Sequence, residues 1–159
     1  MPCDTETVTA DPAPPNSGPL KTGLYTINNF ATCGFARLSG GMSGSAISQW
    51  FKDTSTGHEV PENIKWNFTL LDNGYYTIAS HPYRNFALVT PSPGDNDVVK
   101  VRGESYQWIV RSSLDEEGQY LIYPDDNNSL YWSFNNMNDT QVRLTNSGNN
   151  LWTITPVDP

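Results

Sequence analysis

The sequence predicts an all-β chain made of three copies of one unit, and three observations carry that expectation. Apolar and polar residues alternate along short runs, as in Trp108–Arg111 and Gln119–Ile122. Clusters of Gly, Pro, Asn, Asp and Ser separate these runs every eight to twelve residues or so, and no apolar stripe at helical spacing intervenes. One order of residues then recurs: Trp, an apolar strand, a turn with Gly, an aromatic residue, and Ile. It runs from Trp66 through Gly74 and Tyr76 to Ile78, and from Trp108 through Gly118 and Tyr120 to Ile122. The second half of the unit opens the chain at Gly23, Tyr25 and Ile27, and the first half closes it at Trp152 and Ile154.

The spacing of these copies selects the architecture. Trp66, Trp108 and Trp152 follow one another at 42 and 44 residues, and Tyr76 and Tyr120 are 44 apart. Tyr25 and Tyr76 are 51 apart, which places an insertion of about seven residues in the first copy. A unit of this size with about four short strands cannot bury its own aromatic face, so the three copies must share one core. Propeller blades have a similar period, but three fall short of the usual number. The expected fold is a β-trefoil, in which six strands close a short barrel and three hairpins cap one end.

The first unit is expected to supply strands at Gly23–Asn29, Gly34–Leu38, Ile47–Lys52 and Ile64–Leu71. The second supplies Tyr75–Ser80, Phe86–Val89, Asp97–Arg102 and Tyr106–Arg111. The third supplies Gln119–Tyr123, Leu130–Phe134, Gln141–Leu144 and Leu151–Thr155. The core is expected to take Tyr25, Ile27, Trp66, Phe68, Tyr76, Ile78, Trp108, Val110, Tyr120, Ile122, Trp152 and Ile154. Trp50 and Trp132 fall outside the repeat register and are left free for another role. Residues 1–21 hold five of the twelve prolines and no aromatic residue. They are expected to form a disordered or loosely docked Pro-rich tail, with the trefoil domain at 22–157.

Composition excludes several function classes. A formal charge of −8 disfavours nucleic acid and anionic membranes, which both attract Lys and Arg. No apolar run reaches membrane-spanning length. The N-terminal residues have neither the basic start nor the apolar middle of a signal peptide, so a cytoplasmic protein is expected, with secretion as the other reading. Two cysteines are too few for a disulfide framework, and Cys3 and Cys33 are expected as free thiols. Cys3, Cys33, His58 and His81 have no metal-ligand spacing, so neither metal nor cofactor is expected.

No enzyme motif is found. Nothing in sequence ties Cys33 to a histidine base, and the acidic clusters Asp115-Glu116-Glu117 and Asp125-Asp126 sit in turns, where carboxylates are solvated. Gly40, Gly41 and Gly44 make a Gly-rich stretch, but no helix follows to hold a phosphate. The expectation is a non-enzyme whose function sits on the loops of a rigid all-β body.

The opening Thr22–Asn29, the stretch Tyr106–Val110 and the ending Asn149–Val157 resemble mushroom β-trefoil proteins. In the third unit, Gly118–Ile122, Leu130–Phe134 and Asp139–Leu144 are similar to the cospin and cnispin type of serine protease inhibitor, related to the mycocypins. The resemblance covers about residues 20–157. It implies a protease inhibitor, whose partner is a trypsin-like, chymotrypsin-like or legumain- or papain-like enzyme entered by an exposed loop. In the cospin type that loop joins the second and third strands, here Ser39–Ala46, where Met42 suits a chymotrypsin- or elastase-like pocket beside Ser43. The cnispin-type loop, here Thr145–Asn150, has no basic residue. The loop between the fifth and sixth strands offers Arg84 to trypsin-like enzymes and Asn85 to legumain, with Tyr83 beside them.

Ricin-B-like fungal lectins share the fold, and a carbohydrate-binding lectin is the alternative. Their repeats end in Gln-x-Trp, whereas the equivalents here are Ile64-Lys-Trp66, Tyr106-Gln-Trp108 and Asn150-Leu-Trp152. A sugar site is expected in the third unit, with Asp126, Asn128, Asn136 and Asn146 as hydrogen-bonding groups and Trp132 as an aromatic face.

Overall fold

The computed structural model describes residues 19–52, 60–113, 118–125, 127–134, 140–146 and 149–157. Most of the N-terminal stretch expected as a tail therefore lies outside the described residues. Twelve strands follow in order: β1 (Gly23–Asn29), β2 (Phe35–Arg37), β3 (Ser48–Trp50), β4 (Lys65–Leu70), β5 (Tyr76–Ser80), β6 (Phe86–Leu88), β7 (Lys100–Arg102), β8 (Trp108–Ser112), β9 (Gln119–Pro124), β10 (Tyr131–Ser133), β11 (Arg143–Thr145) and β12 (Trp152–Pro156). Each matches an expected strand, with bounds shifted by up to three residues. A 3-10 turn at Glu62–Ile64 leads into β4. Among the described residues no helix is long and apolar enough to cross a membrane.

Six of the strands form a closed ring. β1 pairs with β4, β4 with β5, β5 with β8, β8 with β9, β9 with β12, and β12 returns to β1, all antiparallel. Closure removes the free edges that an open sheet of this kind would expose. The remaining strands form three short hairpins, β2–β3, β6–β7 and β10–β11. A six-stranded barrel with three such hairpins is the β-trefoil architecture.

The hairpins meet in a closed cycle of main-chain hydrogen bonds. The amide of Ile47 donates to the carbonyl of Val99 at 3.0 Å, Val99 to Val142 at 2.9 Å, and Val142 back to Ile47 at 2.9 Å. All three side chains are fully buried. Three residues about fifty positions apart thus satisfy one another's polar groups where solvent cannot reach.

The tryptophans that end each expected unit repeat a second contact. The indole Nε1–H of Trp66 donates to the carbonyl of Ala36 on β2 at 3.0 Å. Trp108 does the same to Ala87 on β6, and Trp152 to Trp132 on β10, both at 2.9 Å. Ten of the twelve expected core residues are buried, while Val110 and Tyr120 are partly buried against the core. Trp132, expected to be free for another role, is instead completely buried, edge-on to Trp108 at 5.3 Å and to Trp152 at 6.3 Å. Its place on the second strand of a unit is filled in the first two units by Ala36 and Ala87, so sequence equivalence hid a core position. Cys33 is disulfide-bonded, which overturns the expected free thiol. The only other cysteine in the sequence, Cys3, lies outside the described residues. Sequence spacing gave no sign of the bond because pairing depends on the path of the chain.

At the start of β1 two tyrosines of the barrel tie down the incoming chain. Tyr25 donates its hydroxyl to the carbonyl of Lys21, and Tyr76 to that of Leu20, both at 2.6 Å. Leu20 packs on the core, so the residues just before β1 lie across this end. Burial and then the neighbouring Tyr25 and Tyr120 hydroxyls push Tyr76 up to about 12, against the opposing pull of the Leu20 hydrogen bond.

Two outcomes are expected. Trp66→Phe leaves the Ala36 carbonyl buried without its donor and should cost about 1–3 kcal/mol in urea unfolding; a cost near zero would mean another donor reaches it. A raised Tyr76 value means that folding favours the protonated hydroxyl. Its contribution is complete below the ordinary tyrosine value of about 10 and is lost as pH rises through about 12. The urea midpoint should fall over that window, and Tyr76→Phe should flatten the fall.

Candidate functional site

The β5–β6 loop, 81–85, is a tight turn whose shape is fixed by its own main chain. The Arg84 amide donates to the Ser80 carbonyl at 2.8 Å, and the Ser80 amide to the Asn85 carbonyl at 2.9 Å. Arg84 closes the turn in the left-handed region at φ 62°. The β1–β2 turn has the same build: Cys33 donates to Asn29 at 3.0 Å, Asn29 to Gly34 at 2.7 Å, and Cys33 takes φ 68°. A left-handed conformation costs a non-glycine residue of order 1 kcal/mol, so the turn geometry overrides side-chain preference twice.

The β2–β3 loop, 38–47, carries a second turn. The Ser45 amide donates to the Met42 carbonyl at 3.1 Å, with Gly44 at φ 89°. Met42 stands out at the tip, 79 % exposed, with Ser43 exposed beside it. Beyond the tip the loop joins β7: the Gly44 amide donates to the Val101 carbonyl at 2.7 Å, and Val101 returns a bond to Ser45 at 2.9 Å.

The structure brings these two loops together. The Asn85 side-chain Nδ2 donates to the Gly41 carbonyl at 2.8 Å. Tyr83 lies against the Gly41 backbone so closely that a Cβ there would meet its ring at 2.7 Å. The Tyr83 hydroxyl reaches toward the Ser39 carbonyl at 3.5 Å, a long contact. One side of the ring therefore rests on the neighbouring loop, while the residue stays 39 % exposed. Met42, Ser43, Tyr83, Arg84 and Asn85, two alternative sets of inhibitory residues in sequence, form one surface. What sequence reasoning missed is the brace, because Asn85 and Gly41 are 44 positions apart.

Charge around this surface is uneven. Glu62 pairs with Lys65, and the hydrogen bond from that ammonium holds its carboxyl below the usual range. His81 lies 3.9 Å from the same carboxylate, with its Nδ1 3.3 Å from the Asn67 amide. The Arg84 guanidinium has neither an ion pair nor a hydrogen bond among the described residues.

Of the residues expected for a sugar site in the third unit, the structure places Asn128, Trp132 and Asn146. Trp132 is buried and offers no face. Asn128 and Asn146 are exposed, while Asp126 and Asn136 lie outside the described residues. Asn127, not Asn128, holds the local turn, accepting from the Ser129 amide and donating to the Pro93 carbonyl. Of the groups weighed for catalysis, Cys33 is bonded, and His58 and the 115–117 carboxylates lie outside the described residues. Among the described residues no three His, Cys, Asp or Glu side chains group as metal ligands.

Solved structures of the same fold surround this chain. It is similar to the Rhizoctonia solani agglutinin, with a TM-score of 0.74 and 16 % identity over 91 % of this chain and 100 % of that one. It is similar to the Macrolepiota procera ricin B-like lectin in complex with lactose, at 0.73 and 17 % over 89 % and 100 %. The designed three-fold symmetric protein ThreeFoil aligns at 0.71 and 18 % over 85 % and 99 %. No protein-family model matches the chain, and no curated protein matches it. Identities this low establish the β-trefoil fold and nothing finer.

The brace makes a local prediction. Asn85→Ala should cost about 0.5–1.5 kcal/mol in stability and should raise amide exchange and protease nicking between Ser39 and Ser43. Unchanged exchange in that stretch would mean that Tyr83 alone holds the loop.

Proposed function

We propose that the chain is a carbohydrate-binding protein, acting by recognition and not by catalysis, on a fold made of three copies of one unit. The observation that carries the reading is the exposed ring of Tyr83, seated over Gly41 on two hydrogen-bonded loops beside the uncommitted guanidinium of Arg84. An aromatic face takes the C–H side of a sugar ring, and polar groups at its rim take the hydroxyls. Because the loops brace each other, little ordering is left for the ligand to impose. Likeness to a lectin in complex with lactose and to an agglutinin supports the same reading. The disulfide at Cys33 fits an oxidising compartment, where glycans of cell surfaces are met.

Inhibition of a protease, the function implied by the mushroom inhibitors, is less favoured by these loops. Substrate-like insertion needs an extended segment that pairs with the enzyme. Arg84 sits in the left-handed region, the Asn85 side-chain amide is committed to Gly41, and Met42 begins a tight turn.

A glycan array is expected to give binding, and Tyr83→Ala to weaken it about ten-fold or more with an unchanged thermal midpoint. Trypsin, chymotrypsin, papain and legumain titrated with the protein should keep their activity. A blank array together with inhibition of any of the four would reverse the assignment.

A further inference from the structure

The nine Lys and Arg residues are not used alike. Lys65 is paired with Glu62, Arg111 stacks on Tyr123 with its guanidinium carbon 5.6 Å from the ring centre, and Arg143 donates to the Asn96 carbonyl and the Gln141 side chain. Arg84, Lys100 and Arg102 are different. All three are exposed, and none has an ion pair or a side-chain hydrogen bond among the described residues, as is also true of Lys21 and Lys52; what these three share is the β6–β7 hairpin and the turn before it.

The sheet register puts Lys100 and Arg102 on one face, and the turn that carries Arg84 leads into the strand paired with them. β7 alternates exposed, buried, exposed, so Lys100 and Arg102 point outward on either side of the core residue Val101. Arg102 is the cross-strand partner of Phe86, and Lys100 of Leu88, across paired strands about 5 Å apart. Arg84 lies two residues before Phe86, in the turn that carries Tyr83. The other edge of β7 is bordered by Gly44–Ala46 of the β2–β3 loop, with Ala46 bridged to Lys100. The braced loops and the cationic strand are thus one continuous surface. Glu104, two residues past Arg102, is exposed and forms no ion pair with it.

On a chain with seventeen Asp and Glu residues and a charge of −8, these three cations have no ion pair among the described residues. Like charges on paired strands repel, and a nearby carboxylate would relieve them. Guanidinium groups bind planar or tetrahedral oxyanions through two parallel hydrogen bonds, and Lys supplies a point charge beside them. Phe86 and Leu88, half-buried between the cations, add an apolar floor, and Tyr83 adds a ring at the rim. We infer that the Arg84–Lys100–Arg102 face, with Tyr83 at its edge, binds an anionic saccharide through its sulfate or carboxylate groups. The inference rests on the carbohydrate reading above and specifies the ligand class for that same site.

The test measures binding of the whole chain to three oligosaccharides of equal length: one sulfated, one carrying uronic carboxylates without sulfate, and one neutral. At least one anionic sugar should bind about ten-fold or more tighter than the neutral one at low salt, and should weaken as salt approaches about 0.15 M. The sulfated and uronic arms identify the oxyanion. Arg84→Ala with Arg102→Ala should erase that preference at an unchanged thermal midpoint, whereas Arg111→Ala, on β8 against Tyr123, should preserve it. Equal affinity for anionic and neutral sugars overturns this inference and leaves the carbohydrate reading standing. Binding of none of the three, with a blank array, overturns both. A preference that survives the double variant, or falls equally with Arg111→Ala, overturns the placement of the site.

Discussion

Three indole N–H groups hold the outer hairpins to the barrel, and the architecture depends on them. Each hairpin has strands of only three residues, too short to be stable alone in water. Each lies beside a tryptophan of the barrel whose ring fills the core and whose Nε1–H reaches a carbonyl of the hairpin's first strand. One side chain therefore supplies both the apolar volume and the polar tie. In the third unit the carbonyl belongs to Trp132, itself buried, and so this unit packs a ring where the others have the methyl group of Ala36 or Ala87. The cost is visible: among the described residues the Trp132 Nε1–H has no acceptor. An unmet buried donor is unfavourable by roughly 1–3 kcal/mol, offset here by the aromatic contacts on either side.

Much of the fold was legible because core and repeat coincide. The Trp, Tyr and Ile positions that recur at 42 to 44 residues are those whose side chains the barrel encloses, so periodicity located the strands and most of the core. Strand ends were less legible. Asp97–Val99 and Gln141–Val142 alternate like strands, yet they bridge to other units and do not continue their own hairpins. Trp132 and Cys33 were misread for a common reason. Each depends on contacts that vary among the copies, and repetition carries no information about those.

The site was legible in parts and not in its assembly. The two loops were picked out by the resemblance to the mushroom inhibitors, one for Met42, the other for Arg84 and Asn85. That Asn85 ties them together depends on the approach of the first and second units, which pattern in either loop does not encode. The left-handed residue at Arg84 was equally hidden, since glycine is the usual sign of such a turn and none is present there. Lys100 and Arg102 carried a readable signal, two cations separated by a valine on an expected strand. Nothing in that pattern links them to Arg84, which lies in the turn leading into the paired strand.

The cycle of bonds among Ile47, Val99 and Val142 bears on how this chain acquires its structure. A cycle of three is incomplete with two, and its members are spread over nearly a hundred residues of sequence. As the chain is synthesised, Ile47 and Val99 are available long before Val142, and two of the three bonds lack a partner until then. Loop-closure entropy for these distant partners is met only when the last unit arrives, which is the condition for slow folding of non-local β topologies. A nascent chain that ends before the third unit carries two sides of an apolar seam open to any other β-edge it meets. The geometry that leaves the finished molecule without a free seam thus concentrates its vulnerability in the interval before the final third is made.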